Sequence, residues 1–326
     1  MWLANTIERI IYACFWTLGL LIHIVPFPVR DAIAGPLSLV WFYLIRFRRR
    51  IVLHNLALVF PREREEGMGV FQERCEKLAI RNLRHTIHSF LEILERFHLK
   101  QSMLGGRLQT EGMNENIRPL LDRKQGFFFL TAHLGNWELI TMVGVFLGIP
   151  LAILTKRLRN AFFDRIWVRS RKRFGLNLLD ESGSGLGIAR AIKGGQAVGF
   201  ILDQHTGEPH GIESEFMGVK AWCPKGLAIL SHRLQCPITP AYILRQKDGS
   251  FMISMLPPLR FPLIEENAPG MRTESGSLTE AGIRYHIQVC NENMEQWILK
   301  APEQYLWLHR RFKNILDYRS PLPWEL

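Results

Sequence analysis

Short apolar runs recur along the middle of the chain, separated by polar and glycine-containing segments. The first is Phe127 to Ala132, and its length and its phenylalanines predict a buried strand. Similar runs predict further strands at 107–110, Leu151 to Thr155, Leu176 to Leu179, Ala197 to Leu202, Ile238 to Leu244 and Phe251 to Leu256.

Segments of helical character lie between these runs and on either side of them. They cover 70–97, where apolar residues recur three or four apart, and then 160–174, 186–193, 224–235 and 278–300. A glycine-rich loop is predicted to lead up to Phe216. Because strands alternate with helices, we predict an α/β fold: a three-layer sandwich with a mixed, largely parallel sheet flanked by helices, plus an N-terminal membrane-associated helical region.

The N-terminal region is apolar at its start and basic at its end. Residues 10–28 carry no formal charge, and these nineteen residues are just long enough to span a bilayer, although a buried core helix has the same character. A second run, Ala32 to Ile45, is shorter and favours an interfacial or buried helix. The basic cluster Arg46 to Arg50 is typical of a segment drawn to an anionic leaflet. We predict an anchor over 1–50 and a catalytic domain over 51–326.

The charge balance points to an anionic partner. The 326 residues include 41 Lys and Arg against 30 Asp and Glu, a net charge of +11. With so apolar an N-terminus, a membrane surface or an acidic carrier or substrate fits better than nucleic acid. The five cysteines are scattered without a CxxC pair, which predicts free thiols in a reducing compartment.

The strongest chemical signal is the pair His133 and Glu138. Residues five apart lie about 140° apart around one helix, so the two side chains can meet only if His133 ends a strand and Glu138 begins a helix. The strand before His133 and Asn136 as a plausible N-cap agree with that arrangement. We expect Glu138 to orient the imidazole of His133, although an isolated histidine near apolar residues is more often structural.

Other candidate sites are weaker. The glycines of 183–187 follow a strand, but Ile188 stands where a dinucleotide fingerprint needs its third glycine. The spacing of Asp203, His205 and His210 is not a standard metal-ligand pattern. We therefore predict neither a cofactor nor a metal.

Three further features can contribute to a site. Arg169 and Arg171 belong to a basic helix that either is solvated or binds an anion. Asp203 ends a predicted strand, where α/β sheets place their sites, or is a turn residue. The aromatic and basic residues at the end of the block 302–312 are Trp307, His309, Arg310, Arg311 and Phe312. They either close the core as a helix or contact substrate phosphates.

Together these motifs resemble the lysophospholipid acyltransferase superfamily, in particular its bacterial lipid A biosynthesis lauroyl/myristoyl acyltransferase branch. The resemblance covers nearly the whole chain. Its elements are the apolar N-terminus, Arg50-x4-Asn55 with Pro61, His133-x4-Glu138, Arg169-x-Arg171, Asp203-Gln204, Phe216 to Gly218 and the block Pro302 to Phe312.

The resemblance implies transfer of a fatty acyl chain from an acyl carrier protein thioester to a hydroxyl of a lipid A precursor. The site of action is the cytoplasmic face of the bacterial inner membrane. It assigns His133 as general base, Glu138 as its partner, and Arg169 or Arg171, Asp203 and Asn136 to substrate binding. Another glycolipid or lysophospholipid remains an alternative acceptor, and a membrane-anchored protein that binds anionic lipid remains a non-enzymatic alternative.

Overall fold

The computed structural model describes residues 2–95, 106–155, 160–180 and 184–326. Its helices are α1 Trp2–Ile24, α2 Phe27–Val40, α3 Arg49–Val59, α4 Met68–Glu95, α5 Arg118–Asp122, α6 Trp137–Phe146, α7 Ala161–Arg173, α8 Ser184–Lys193, α9 Gly226–Leu234, α10 Pro262–Glu265 and α11 Glu280–Lys300. Its strands are β1 Leu108–Glu111, β2 Phe127–Thr131, β3 Leu151–Thr155, β4 Asn177–Asp180, β5 Ala197–Ile201, β6 Gly211–Phe216, β7 Val219–Pro224, β8 Ile238–Arg245 and β9 Phe251–Met255.

Seven strands form one sheet in the order β1-β9-β8-β2-β5-β3-β4. Five of its six strand pairs are parallel, and only β8 and β9 run antiparallel. The prediction of a mixed, largely parallel sheet flanked by helices is confirmed. Strand β2 lies at the centre, and all five of its residues are buried, as expected for a strand covered on both faces.

The segment predicted as a glycine-rich loop contains a hairpin. β6 and β7 pair antiparallel, and the turn between them has positive φ at Met217 and Gly218, as a two-residue hairpin turn requires. The amide of Asn291 on α11 donates to the Glu215 carbonyl at 2.7 Å, so the hairpin is held by a helix far along the chain. That support depends on residues about 75 positions away, and local sequence does not reveal it.

The N-terminal helices are broken where a continuous span was considered. α1 ends at Ile24 and Pro26 caps α2, so residues 10–28 do not form one helix. Within the described residues no single helix has the length and apolar character of a membrane span. The segments Ile11–Ile24 and Phe27–Ile45 meet those criteria only as a pair, and they meet at a bend of 113°.

Helix α4 joins the N-terminal helices to the rest of the molecule. Its last residue, Glu95, is buried and accepts hydrogen bonds from Arg30 and Arg107, each at 2.8 Å, while His23 lies 3.2 Å away. Burial opposes ionisation of Glu95, but the charges and hydrogen bonds of the two arginines outweigh it and keep the pKa of this carboxyl below its usual value. The last residues of the helix predicted over 70–97, and Gly183 of the glycine cluster, lie outside the described residues.

Candidate active site

The predicted strand–turn–helix around His133 is confirmed. β2 ends at Thr131, the chain turns at Gly135, and α6 begins at Trp137. Asn136 is the N-cap, because its side-chain oxygen accepts a hydrogen bond from the backbone of Leu139 at 3.0 Å. Gly135 has φ +60°, and a Cβ there would lie 1.9 Å from a backbone oxygen of β8, so only glycine fits.

His133 is held by Asp203. Its Nδ1 lies 2.8 Å from one carboxylate oxygen of Asp203, and its backbone N–H donates to the other at 3.0 Å. The two residues meet because β2 and β5 pair in parallel, so their carboxyl ends share one edge of the sheet. The remaining ring nitrogen, Nε2, lies 3.2 Å from the amide nitrogen of the exposed Gln204.

The predicted pairing of His133 with Glu138 is wrong. The described hydrogen bonds of the His133 ring go to Asp203 and Gln204. Glu138 instead forms a two-pronged ion pair with Arg171, with nitrogen–oxygen distances of 2.5 and 3.3 Å. The physical reason is that Asp203 approaches from the neighbouring strand and takes Nδ1, while the basic helix brings an arginine to Glu138.

Asp203 and Asn136, which were predicted to bind substrate, are both buried and hydrogen-bonded within the protein. Asp203 is 2% exposed. Its burial raises the pKa, but the charge and two hydrogen bonds of His133 outweigh burial, and the net shift is downward. Asn136 is also 2% exposed, and its NH₂ group donates to Glu92 at 2.8 Å while its oxygen caps α6. Their described hydrogen bonds hold the imidazole of His133 and the start of α6.

Of the two candidate arginines on α7, Arg171 reaches the site. It contacts Glu138 and lies 5.0 Å from the ring of Trp167. Arg169 is exposed and lines a separate pocket together with Lys172 and Arg173. The two arginines therefore have different surroundings, which their spacing alone did not predict.

A buried polar network that the sequence analysis missed supports the turn from behind. Arg245, at the end of β8, donates two hydrogen bonds to Glu92 of α4, at 2.8 and 2.7 Å. Its remaining guanidinium nitrogen lies 2.7 Å from Nδ1 of His85. Glu92 also accepts a hydrogen bond from the side-chain amide of Asn136, and Nε2 of His85 lies 3.2 Å from the Gly135 carbonyl oxygen. An ion pair at this depth is favourable only when its hydrogen bonds are satisfied, as they are here.

The C-terminal block 302–312 packs against the same turn. The backbone of Leu306 donates to the His133 carbonyl, and Gly135 donates to Gln304, both at 3.0 Å. The block is a short 3₁₀ turn, Pro302–Gln304, followed by turns, so it closes the core without forming the helix that was one of its two possible readings. Arg311 is buried and donates to the Trp222 carbonyl and to the Cys223 sulfur. Its charge therefore serves the core and is not solvated.

An apolar cavity opens under α6 beside the site. It lies between the helix and the sheet, and its walls include Thr131, Ile140, Gly144, Gly199 and Met255. The empty space among these residues is about 460 Å³, part of it open to solvent. Thr131, the last residue of β2, stands two residues before His133 in the chain.

The residues weighed for a metal or a dinucleotide lie in the loop after β5 and at the start of α8. In the part of the chain that the structure describes, no three His, Cys, Asp or Glu side chains are grouped to hold a metal ion. The backbone of His205 donates to the ring of His309 at 3.2 Å, and Gly185 and Gly187 lie within α8. These residues therefore have local structural roles.

Comparison with known proteins gives a consistent result. A model of the bacterial lipid A biosynthesis acyltransferases matches residues 4–314. The chain is 25% identical over 292 residues to a lipid A biosynthesis lauroyltransferase of Escherichia coli K12, covering 89% of this chain and 87% of the relative. It is 25% identical over 295 residues to the palmitoleoyltransferase of the same organism, covering 89% and 86%. It is also 25% identical over 322 residues to a lipid A biosynthesis acyltransferase of Haemophilus influenzae, covering 95% and 93%.

Proposed function

The chain belongs to the bacterial lipid A biosynthesis acyltransferase family, and from that premise we propose that it moves a fatty acyl chain from an acyl carrier protein thioester to a hydroxyl of a lipid A precursor. Members of this family are acyltransferases, so the chain is an enzyme that acts in lipid A biosynthesis. The carrier protein as donor, the late position of the acylation and the residues that perform it are the parts proposed here. Another glycolipid or lysophospholipid is the alternative acceptor.

The observation that carries the mechanism is the hydrogen bond between Nδ1 of His133 and Asp203. A carboxylate there fixes the tautomer with its proton on Nδ1 and leaves the lone pair of Nε2 free to accept a proton. The exposed amide of Gln204 now occupies the place beside Nε2 and is displaced by the acceptor hydroxyl. His133 is thus the general base, and Asp203 takes the role first expected of Glu138.

The reaction needs no covalent enzyme intermediate, because a thioester is already activated. The acceptor oxygen attacks the thioester carbonyl carbon while its proton passes to Nε2 of His133. The carbon–sulfur bond then breaks, and the departing thiolate takes that proton from the imidazolium. The backbone N–H of Trp137, at the positive end of α6, has no acceptor within the described residues and is placed to stabilise the oxyanion.

Glu138 and Arg171 act as a pair in this proposal. Their ion pair fixes the first turn of α6 against α7 and so fixes the position of the Trp137 N–H. Arg169 and Lys172 are exposed on α7, and such a basic face suits an acidic carrier protein. The apolar cavity under α6 is where we place the donor's acyl chain.

Residues 1–50 seat the enzyme on the bacterial inner membrane, and residues 51–326 carry the chemistry on its cytoplasmic side. The support is the large apolar surface of the N-terminal helices, which a soluble protein rarely exposes. More than ten large apolar side chains between 16 and 47 are exposed, among them Ile24, Ile33, Leu44, Ile45 and Phe47. The basic cluster Arg46 to Arg50 borders this surface and suits an anionic leaflet.

Mass spectrometry of cellular glycolipids, with the gene present and deleted, tests the function. We expect lipid A to lose one acyl group on deletion and to regain it with the wild-type gene but not with His133→Ala. Loss of a chain from a different lipid would replace the acceptor while keeping the chemistry. Full complementation by His133→Ala would remove this histidine from the mechanism.

A further inference from the structure

Four arginines line one open pocket beside the C-terminal block. Arg46 and Arg48 come from the segment that leads into α3, Arg50 lies in the first turn of that helix, and Arg310 comes from the block itself. Phe47, Ile51 and Tyr318 complete the lining, and about 1060 Å³ of empty space lies among these residues, much of it open to solvent. We call this the arginine pocket. The mechanism proposed above makes no use of it.

The backbone holds the arginines in place by unusual means. Arg46 and Arg48 both have left-handed backbone conformations, with φ of 56° and 58°. Residues other than glycine rarely adopt this conformation, and such strained positions concentrate at functional sites. Hydrogen bonds to backbone carbonyls fix the side chains, from Arg46 to Tyr43 at 2.7 Å and from Arg48 to Leu308 at 3.0 Å.

Within the described part of the chain, the positive charges of the pocket are balanced only in part. Among the described contacts of these arginines, Glu325 is the one carboxylate, and it pairs with Arg50. Arg310 lies 6.0 Å from the ring of Tyr318, and its guanidinium has no hydrogen-bond acceptor among the described residues. Several guanidinium groups around one pocket, each with five N–H donors, match a phosphate, which offers charge and several oxygens at once.

The arginine pocket is close to the catalytic turn. The backbone of Leu306 bonds to the His133 carbonyl, and Arg310 follows four residues later, at most about 14 Å away along an extended chain. Between them His309 accepts a hydrogen bond from His205, two residues after Asp203. Phe47 lines the pocket, and it is exposed together with its chain neighbours Leu44 and Ile45. The pocket is thus joined through the C-terminal block to the catalytic turn and through Phe47 to the apolar surface that we assign to the bilayer.

We propose that the arginine pocket binds a phosphate group of the glycolipid acceptor and thereby brings the acceptor hydroxyl to Nε2 of His133. This inference rests on the proposed function, since it names a contact of the same substrate. It goes beyond that function by assigning acceptor recognition to residues outside the catalytic turn. Within the C-terminal block, Arg310 is the arginine that contacts the substrate phosphate, because Arg311 is buried and bonded within the core.

The test combines dephosphorylation of the acceptor lipid with substitution of arginines in the pocket. Initial rates are measured in mixed micelles with the phosphorylated acceptor and with the same lipid after phosphatase treatment. For the wild-type enzyme we expect dephosphorylation to raise the acceptor KM roughly 10- to 100-fold, the range for lost hydrogen bonds to a charged group. Arg310→Gln combined with Arg46→Gln raises the KM for the phosphorylated lipid by a similar factor and leaves the KM for the dephosphorylated lipid unchanged, with kcat within about threefold throughout.

Two further variants control the experiment. Arg310→Lys keeps the charge without the two-pronged geometry, so it recovers part of the affinity. Arg123→Gln removes an exposed arginine outside the pocket and leaves both KM values unchanged. Circular dichroism of each variant, compared with the wild type, confirms that it is folded.

The outcomes separate the inference from the function. If the wild-type enzyme acylates neither lipid, the proposed function fails. If it acylates both with equal KM, or if the double variant raises both KM values alike, the pocket does not recognise the acceptor phosphate. If the double variant keeps the KM difference and loses only binding to phosphatidylglycerol vesicles, the pocket serves bulk anionic lipid and the inference is overturned.

Discussion

At the scale of single residues, the site consists of two ion pairs that are easily confused in sequence. His133 and Glu138 stand five residues apart, yet each is paired with a residue that lies more than thirty positions away. Asp203 comes from the adjacent strand and holds the imidazole, and Arg171 comes from α7 and holds Glu138. The separate roles of Asp203 and Glu138 can be tested, because the two carboxylates bind different side chains.

Asp203→Asn is expected to lower kcat by roughly 10²- to 10⁴-fold with little change in KM, because an amide no longer fixes the reactive tautomer of His133. Glu138→Gln keeps an acceptor for Arg171, so we expect a smaller loss of kcat. Steady-state kinetics with purified enzyme in micelles gives both values. The reverse order of the two losses would restore Glu138 as the partner of His133.

His286 predicts how stability depends on pH. Burial lowers its pKa from an ordinary 6.5 to about 3, so between these values the unfolded chain binds a proton that the folded chain does not. Stability therefore falls as pH decreases from 6.5 towards 3, by about 1.4 kcal/mol per pH unit for this one histidine. Urea unfolding in detergent at pH 7, 6 and 5 gives the free energy of unfolding at each pH. In His286→Gln this free energy should fall less steeply with decreasing pH than in the wild type, because the contribution of this histidine is removed.

Ser231→Ala provides the matched control for this measurement. The hydroxyl of Ser231 lies 3.1 Å from Nε2 of His286, so its removal costs about 1 kcal/mol at every pH while the titrating ring stays. Equal slopes in wild type and His286→Gln would mean that the ring is not buried as described.

At the scale of elements, the sequence predicted all seven strands of the main sheet and the turn after β2, because their apolar runs are short and sharply bounded. It did not predict the order of the strands. The neighbourhood of β2 and β5, and hence of His133 and Asp203, follows from packing of the whole sheet. The position of Asp203 at the end of a strand was a usable signal, whereas Glu92 and Arg245 gave none, since their pairing joins segments 153 residues apart.

Gly144 on α6 allows a test of the acyl cavity. A Cβ at this position would lie 3.3 Å from a methyl group of Leu151, and a longer side chain enters the cavity. Gly144→Leu is expected to occupy space that the acyl chain needs and to lower kcat/KM for the natural donor roughly 5- to 150-fold, which corresponds to about 1–3 kcal/mol of lost apolar binding. Shorter acyl donors should be less affected.

Mass spectrometry of products formed from mixed donors measures this preference. Gly226→Leu is the control, since Gly226 has open space around it and does not line the cavity. A uniform loss for every chain length in Gly144→Leu would show that the cavity does not hold the acyl chain.

At the scale of the whole molecule, composition predicted an apolar, basic N-terminal region, and the structure gives it a form that composition could not supply. Pro26 and its neighbours divide the apolar stretch into two helices, and α4 packs against both. Uniformly apolar sequence carries no signal for such a bend beyond the proline itself. The two helices leave many large apolar side chains exposed, and substitution of these side chains tests whether they enter a bilayer.

Replacing Leu44, Ile45 and Phe47 together with serine is expected to weaken partitioning onto anionic vesicles roughly 100-fold, because these side chains are 76%, 64% and 60% exposed and each contributes about 1 kcal/mol or more when buried. Vesicle flotation measures the effect. Leu299→Ser removes an apolar residue of similar exposure, 55%, from α11 and should leave binding unchanged. Equal partitioning of the triple variant and the wild type would show that this surface does not enter the bilayer.

Two carboxylates one turn apart on α4 have a consequence for how deep the enzyme works. Glu92 holds the catalytic turn, and three residues later Glu95 holds Arg30 and His23 of the two helices assigned to the bilayer. A slip of α4 by one residue would rotate both carboxylates by about 100° and break both sets of bonds at once. In the membrane seating proposed above, the register of this one helix therefore sets the height of the imidazole above the lipid.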